Sequence, residues 1–335
     1  MYNYGIIGFG GLGRVHLLNL VKIQEKRRDF QLKAICGVSP ESFKENIRIN
    51  LGQADISMID FTEVRFYEDY KEMIEKEPLD FVLSVLPTYL HEEVAVSCLE
   101  KGIDIFSEKP MTLSVESCDN MIEAAKKNGA KLMIGQCLRF SNPYVTLKEY
   151  IDNGRFGKVR RAEFTRYSET PMWTWQNWIL DPEKSGGCAL DMHIHDVDLI
   201  NWYFGMPKAV QSFGTDFKVK GESIFTRYIY DDIVVTAAAD WSMTAEFPFT
   251  SRCLINFEEA TAVLEGDILT IYTDEDSVIP ERSSKDYFVK EMEAFLKYVI
   301  DDKPTPITSP ESVRESVRLV LCEIESAKTG KVIEV

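Results

Sequence analysis

The chain has 335 residues, room for about two domains. Hydrophobic residues make up 45% and charged residues 27%, the balance of a globular protein with a real core. The net charge of −16 argues against a nucleic-acid or anionic-membrane surface, which needs clustered Lys and Arg, but it says little about a small anionic ligand.

No apolar stretch approaches the ~18 residues of a membrane span. The start, MYNYGIIGFGG, lacks a basic region and a small-residue cleavage site, so no signal peptide is expected. The seven cysteines are scattered with no CxxC pair, which reads as reduced thiols in a cytoplasm.

In chain order, YGIIGFG reads as a buried strand and RVHLLNLVKIQEKR as a helix. LKAICGV is a strand, PESFKENIRIN a helix, EDYKEMIEKE a short helix and LDFVLSVLP a strand. HEEVAVSCLEKG is a helix closed by Gly102, and DIFSEKP is a strand and its end. SVESCDNMIEAAKKNG is a helix opened by Ser114, and AKLMIGQCL is a further strand. This alternation predicts βαβ units in a parallel, doubly wound Rossmann sheet over 1–140.

The rhythm then changes. PYVTLKEYIDNGRFG is a helix and turn, KVRRAEFTRYS a strand, and SGGCALDMHIHDVDLINWYFG a long helix. From Val210 to Asp276 the chain is mostly strand-like, which predicts a large, mostly antiparallel open sheet. Two helices follow, YFVKEMEAFLKYVIDD and ESVRESVRLVLCEIESAKTG. The reading is an α/β domain over 1–140 and an α+β substrate and oligomerisation domain over 141–335, with the final helix, 311–328, packing back on the first domain.

The stretch Gly8-Phe9-Gly10-Gly11-Leu12-Gly13 joins the first strand to the first helix, the context a dinucleotide loop needs. Gly8 permits the turn, Gly10 leaves no Cβ between backbone and pyrophosphate, and Gly13 lets helix and strand approach. The N–H groups of the helix start then face the phosphates. An acidic residue normally ends the second strand and bonds the ribose; here Gly37 stands in its place. Ser39 could bond either a ribose or a phosphate, so NAD and NADP both stay open.

Three further segments carry a resemblance. They are Leu86-Pro87-Thr88-Tyr89-Leu90-His91, Glu108-Lys109-Pro110, and the helix running from Gly186-Gly187 through Asp191, His195 and Asp198. With the glycine loop, in that order, the chain resembles the Gfo/Idh/MocA family of NAD(P)-dependent oxidoreductases of sugars, inositols and polyols. The resemblance covers about the first 205 residues. It implies that Lys109, Asp191 and His195 form the catalytic group. Leu86, Pro87, Thr88, His91, Glu108, Lys109 and Gln136, in the segments that follow strand ends, are expected to join the loop, Gly37 and Ser39 around the cofactor, with Gln136 able to reach substrate as well. Gly37 departs from the Asp that many members carry.

The chemistry suits those residues. Oxidising a secondary alcohol removes a hydride and a proton; His is the default base near neutral pH, and a nearby cation favours the alkoxide. At roughly 100° per residue, Asp191 and His195 lie about 40° apart on a helix, whereas His193 points about 200° away. His193 and His195 are therefore poor joint metal ligands, and no metal is expected. His91 either lines the nicotinamide pocket or caps its helix, and His16 reads as a buried structural residue. Arg139 either reaches substrate or ties the domains together. The segment from Trp173 to Trp178 holds three of the five tryptophans; one of them, taken as Trp175, is expected to touch substrate unless packing claims all three.

The expected activity is hydride transfer between NAD or NADP and a sugar, inositol or polyol, in a cytoplasmic homodimer or homotetramer. The alternatives are a glycoside hydrolase that oxidises its substrate transiently and a non-catalytic dinucleotide-binding regulator.

Overall fold

The computed structural model describes residues 1–37, 48–49, 52–280, 287–304 and 307–335. The chain forms two compact units, Met1–Gly135 with Phe288–Glu311, and Gln136–Tyr287 with Ser312–Val335.

The first unit begins with β1 (Tyr2–Ile7), α1 (Gly11–Gln24) and β2 (Phe30–Cys36). Two-residue strands β3 (Arg48–Ile49) and β4 (Gly52–Gln53) pair with each other, followed by β5 (Arg65–Tyr67), α2 (Tyr70–Lys76) and β6 (Phe81–Ser84). Then come α3 (His91–Glu100), β7 (Asp104–Glu108), α4 (Val115–Asn128) and β8 (Leu132–Gly135). Six strands form one parallel sheet in the order β5-β2-β1-β6-β7-β8. Strands β6 and β8 are buried throughout, the pattern of a sheet covered on both faces. Ser114 caps α4 by accepting from the Ser117 N–H at 3.0 Å, and Gly129 ends the helix in the left-handed region. The predicted helix PESFKENIRIN lies largely outside the described residues; its described end is strand β3. The short edge strand β5 was not anticipated, because its charged, three-residue sequence carries no periodicity.

The strand order reverses between β1 and β6. In a doubly wound sheet that reversal opens a crevice at the carboxyl ends of the strands. The glycine loop leaves β1 there, and Leu86-Pro87 leaves β6 there.

The second unit runs α5 (Asn142–Asp152), β9 (Val159–Glu169), α6 (Pro182–Ser185) and α7 (Ile194–Phe204), then β10 (Ala209–Phe213), β11 (Ser223–Ile229) and β12 (Val234–Met243). Strands β13 (Thr250–Phe257), β14 (Thr261–Glu265), β15 (Ile268–Tyr272) and β16 (Ser277–Val278) follow, then α8 (Tyr287–Val299), α9 (Pro310–Thr329) and β17 (Ile333–Glu334). Its nine-stranded sheet has the order β16-β15-β14-β13-β9-β12-β11-β10-β17. Only the central pair β9–β12 is parallel. Burial alternates along β9, so one face is packed and the other is open. Phe164 on the packed face meets Tyr203 of α7, with ring centroids 6.4 Å apart. The α/β plus α+β reading of the sequence matches this architecture.

The unit boundary falls after Gly135, and the part of the C-terminal region grouped with the first unit is Phe288–Glu311. That segment carries α8, whose Phe295 packs edge-on against Phe81 and Phe106, each at 5.6 Å. The final helix, expected on the first unit, is instead grouped with the second from Ser312 onward. The reason is polar: Ser316, Glu323 and Ser326 all bond residues of the second unit.

Candidate active site

The glycine loop can be tested position by position. Gly8 takes φ +92°, and a Cβ there would lie 2.3 Å from the Val85 carbonyl oxygen. A Cβ on Gly13 would lie 2.3 Å from the Gly8 carbonyl oxygen. Both glycines are thus demanded by the fold itself. Gly10 is not: its φ is −74°, and a Cβ would meet nothing within 4 Å. Gly10 precedes α1 with no side-chain cap and no acidic residue in the first turn, so no side chain caps the start of α1 beside that space. A pyrophosphate fits that cradle. Gly11 and Leu12, next in the chain, are half-buried, whereas Phe9 turns inward. Its ring is fully buried, edge-on to Phe61 and under the Arg14 guanidinium, so its side chain belongs to the core.

Gly37 has φ +110°, where a side chain would be strained. That backbone accounts for the missing acidic residue at the end of β2. Ser39 lies outside the described residues.

The loops after β6 and β7 are joined by a buried histidine. The His91 Nε2 lies 2.9 Å from the Leu86 carbonyl oxygen and its Nδ1 2.8 Å from that of Pro110. His91 therefore ties the Leu86-Pro87-Thr88 loop to the Glu108-Lys109-Pro110 loop, and it neither lines an open pocket nor caps α3. Burial holds its pKa below the usual histidine value, although both carbonyls favour the charged ring. Leu86 and Pro87 are half-buried, and Thr88 is buried at the start of a short 3-10 turn.

Glu108 also turns inward. Its Oε1 lies 2.6 Å from the Nε2 of buried His16, and its Oε2 accepts from the Lys109 N–H at 3.0 Å. Glu108 thus fixes the backbone of Lys109 and does not present its carboxylate to a cofactor. His16 is structural, as its place in the first helix suggested. Glu291 of α8 is also fully buried, and both its oxygens lack a hydrogen-bond partner among the described residues. Burial first, and the charge of Glu108 second, raise its pKa well above the carboxylate range. Lys109 is half-buried, and the Lys109–Pro110 peptide is cis.

In the second unit, Ala189–His193 forms a π-turn that runs directly into α7. The sequence predicts one continuous α-helix here, and the angles above assume it. The π-turn inserts an extra residue into the ladder, so those angles do not hold across it. The separation of faces survives: Asp191 and His195 are half-buried, whereas His193 is fully buried. Two buried ion pairs grip α7. Arg166 of β9 reaches Asp196 through Nε and Nη2 at 3.1 and 2.9 Å. Arg139 reaches Asp198 the same way at 2.8 and 2.7 Å, and its Nη1 donates to the Ser312 hydroxyl at 2.9 Å. Arg139 thus anchors α7 from within the second unit. Asp198 is structural for the same reason. Gln136 is buried, and its side-chain nitrogen has no hydrogen-bond partner among the described residues, a donor suited to a ligand oxygen. Trp175 and Trp173 are 64% and 45% exposed, so packing within the chain does not account for them.

Residues 2–136 match the family model described as "Oxidoreductase family, NAD-binding Rossmann fold". Residues 144–278 match the C-terminal domain model of the same GFO/IDH/MocA family. The chain belongs to the Gfo/Idh/MocA oxidoreductase family. A myo-inositol 2-dehydrogenase of Thermotoga maritima is 28% identical over 329 residues, covering 92% of this chain and 91% of that one. A 2,7-anhydro-N-acetylneuraminate hydratase of Mediterraneibacter gnavus is 31% identical over 156 residues, 46% of this chain and 41% of the hydratase. Among solved structures, a levoglucosan dehydrogenase in complex with NADH and levoglucosan superposes with a TM-score of 0.84 at 19% identity, covering 100% of this chain and 99% of that one. At that identity the superposition speaks for the fold.

Within this Gfo/Idh/MocA chain, the π-turn and the anchoring of α7 by arginines had no readable signal. A π-turn has no composition rule, and an arginine looks alike in sequence whether it meets substrate or a buried aspartate. Among the described residues no group of three or more His, Cys, Asp or Glu could hold a metal, and no helix is long and apolar enough to cross a membrane.

Proposed function

We propose that the chain is an NAD(P)-dependent dehydrogenase that interconverts a secondary alcohol and a ketone on an inositol, sugar or related polyol. The observation that carries this reading is the alignment with a myo-inositol 2-dehydrogenase over nine-tenths of both chains. The half-buried Lys109, Asp191 and His195 supply the chemistry it needs.

NAD(P), when bound, supplies the hydride acceptor or donor. The amides that open α1 hold the pyrophosphate in the space at Gly10, and Gln136 donates to a cofactor oxygen. The Lys109 ammonium donates to the substrate oxygen and favours its alkoxide form. The His195 imidazole takes or returns the hydroxyl proton, and Asp191 orients either that ring or a neighbouring substrate hydroxyl. Exposed Trp175 offers a flat apolar face to a sugar ring.

Lys109→Ala tests this. Turnover should fall by about 10² to 10³-fold while NADH binding, read by fluorescence, survives. Unchanged turnover overturns the assignment. The partial likeness to a hydratase supports a second reading, in which oxidation is transient; a changed sugar product with no net change in NADH absorbance would select it.

We also propose a cytoplasmic homo-oligomer, a dimer or tetramer, that pairs the open sheet faces. Phe213 and Phe225 stand opposite each other on β10 and β11 and are 60% and 43% exposed. Phe225→Glu should lower the mass seen by light scattering; an unchanged mass removes that face from the interface.

A further inference from the structure

His193 closes the π-turn and directly precedes α7. Its ring is fully buried. Its Nε2 lies 2.9 Å from the Oε2 of Glu323 on α9 and 3.3 Å from the hydroxyl of Tyr228 on β11. The same Glu323 oxygen accepts from the Thr226 hydroxyl of β11 at 2.9 Å. Thr226 in turn shares a 2.8 Å hydrogen bond with Ser212 of β10. The final helix and β11 therefore meet at one ring, with β10 joined to them through Thr226, two residues from Asp191 and two from His195.

Stability alone does not account for this cluster. The Nδ1 of His193 and the Oε1 of Glu323 are buried without a hydrogen-bond partner among the described residues. A buried pair left partly unsatisfied holds a fold no better than apolar side chains of similar volume. A hydrogen bond adds direction, which apolar contact does not supply. Direction matters at this point because the π-turn carries one residue more than an α-turn. A ladder that slid by one residue would rotate Asp191 away from the face that carries His195.

We propose that His193 and Glu323 are positioning residues that lock the register between the π-turn and α7, and so hold Asp191 and His195 on one open face. The proposal rests on the reading of Asp191 and His195 as catalytic. Neither His193 nor Glu323 touches substrate or cofactor; both act through the helix.

The test compares the full-length wild type with the double variant His193→Leu/Glu323→Leu, which keeps the volume apolar. The double variant leaves the buried Tyr228 hydroxyl without its His193 contact and the Thr226 hydroxyl without Glu323, so its thermal midpoint should fall by a few degrees only, while its NADH affinity holds. Its kcat should fall by at least about tenfold, with KM changed far less. Amide exchange over 189–195 should accelerate by about tenfold while exchange in the six-stranded sheet stays put. A folded double variant with wild-type kcat and wild-type exchange over 189–195 overturns the proposal. Should the double variant not fold, Glu323→Gln decides by the same two readouts, with smaller changes in the same direction. His195→Asn separates the two readings: if it leaves kcat intact, the catalytic assignment fails, and the exchange data alone still decide the register.

Discussion

Arg139 and Asp198 form a two-point ion pair sealed from solvent, each about 1% exposed. Asp198 also accepts from the Ser316 hydroxyl at 2.8 Å, which binds α9 to α7 through the same carboxylate. Removing one partner leaves a buried charge unmatched, at a cost of about 3–5 kcal/mol. Arg139→Ala should therefore lower the thermal midpoint by many degrees. At a temperature where the variant is folded, KM for substrate should stay near the wild-type value. A large rise in KM with unchanged stability would return Arg139 to the substrate site.

The glycine loop separates into two classes of residue, and mutation should separate them too. At Gly10 an added Cβ meets nothing within 4 Å, so Gly10→Ala should cost little more than the loss of a preferred N-cap residue, while NADH affinity falls by about tenfold or more, a loss of at least 1.4 kcal/mol. Gly13→Ala drives a Cβ against the Gly8 carbonyl and should cost about 1–3 kcal/mol of stability. Isothermal titration and thermal melts on both variants check this. Equal loss of stability in the two would remove the argument that Gly10 faces a ligand.

Much of this was legible in the sequence because it is written in local pattern. Buried strands, Ser114, Gly129 and the glycine loop each act within a few residues, so spacing alone reveals them. The Glu108 and Arg139 roles were not legible. Their partners, His16 and Asp198, lie 92 and 59 residues away, and no periodicity connects such positions. The unit to which each of the last two helices is grouped was not legible for the same reason. Both are amphipathic, and amphipathy says that a helix packs without saying against what.

His91 should behave as a pH-sensitive tie. Burial lowers its pKa in the fold, so the unfolded chain binds the proton more readily. Its contribution to stability is present above the ordinary histidine pKa of about 6.5 and is lost as pH falls below it. His91→Phe keeps roughly the volume but removes the one N–H that the neutral ring can donate to the Leu86 or Pro110 carbonyl, at about 1–3 kcal/mol. Melts from pH 8 to about pH 5 should show the wild type losing its advantage over the variant as the pH falls. A constant difference across that range would mean that His91 does not titrate in this way.

Glu291 should show the opposite sign. Its carboxyl is fully buried without a partner among the described residues, and burial with the nearby Glu108 charge raises its pKa well above the ordinary value. The folded protein therefore holds this proton more tightly than the unfolded chain does. Its contribution is fully present below the unfolded value of about 4.3 and is lost as pH rises toward the raised folded value. Glu291→Gln keeps the shape and removes the ionisation. The variant should match the wild type near pH 4 and become the more stable of the two as pH rises through neutrality. Thermal midpoints of both proteins at half-unit pH steps measure this, and parallel curves would show that Glu291 pays no ionisation cost in the fold.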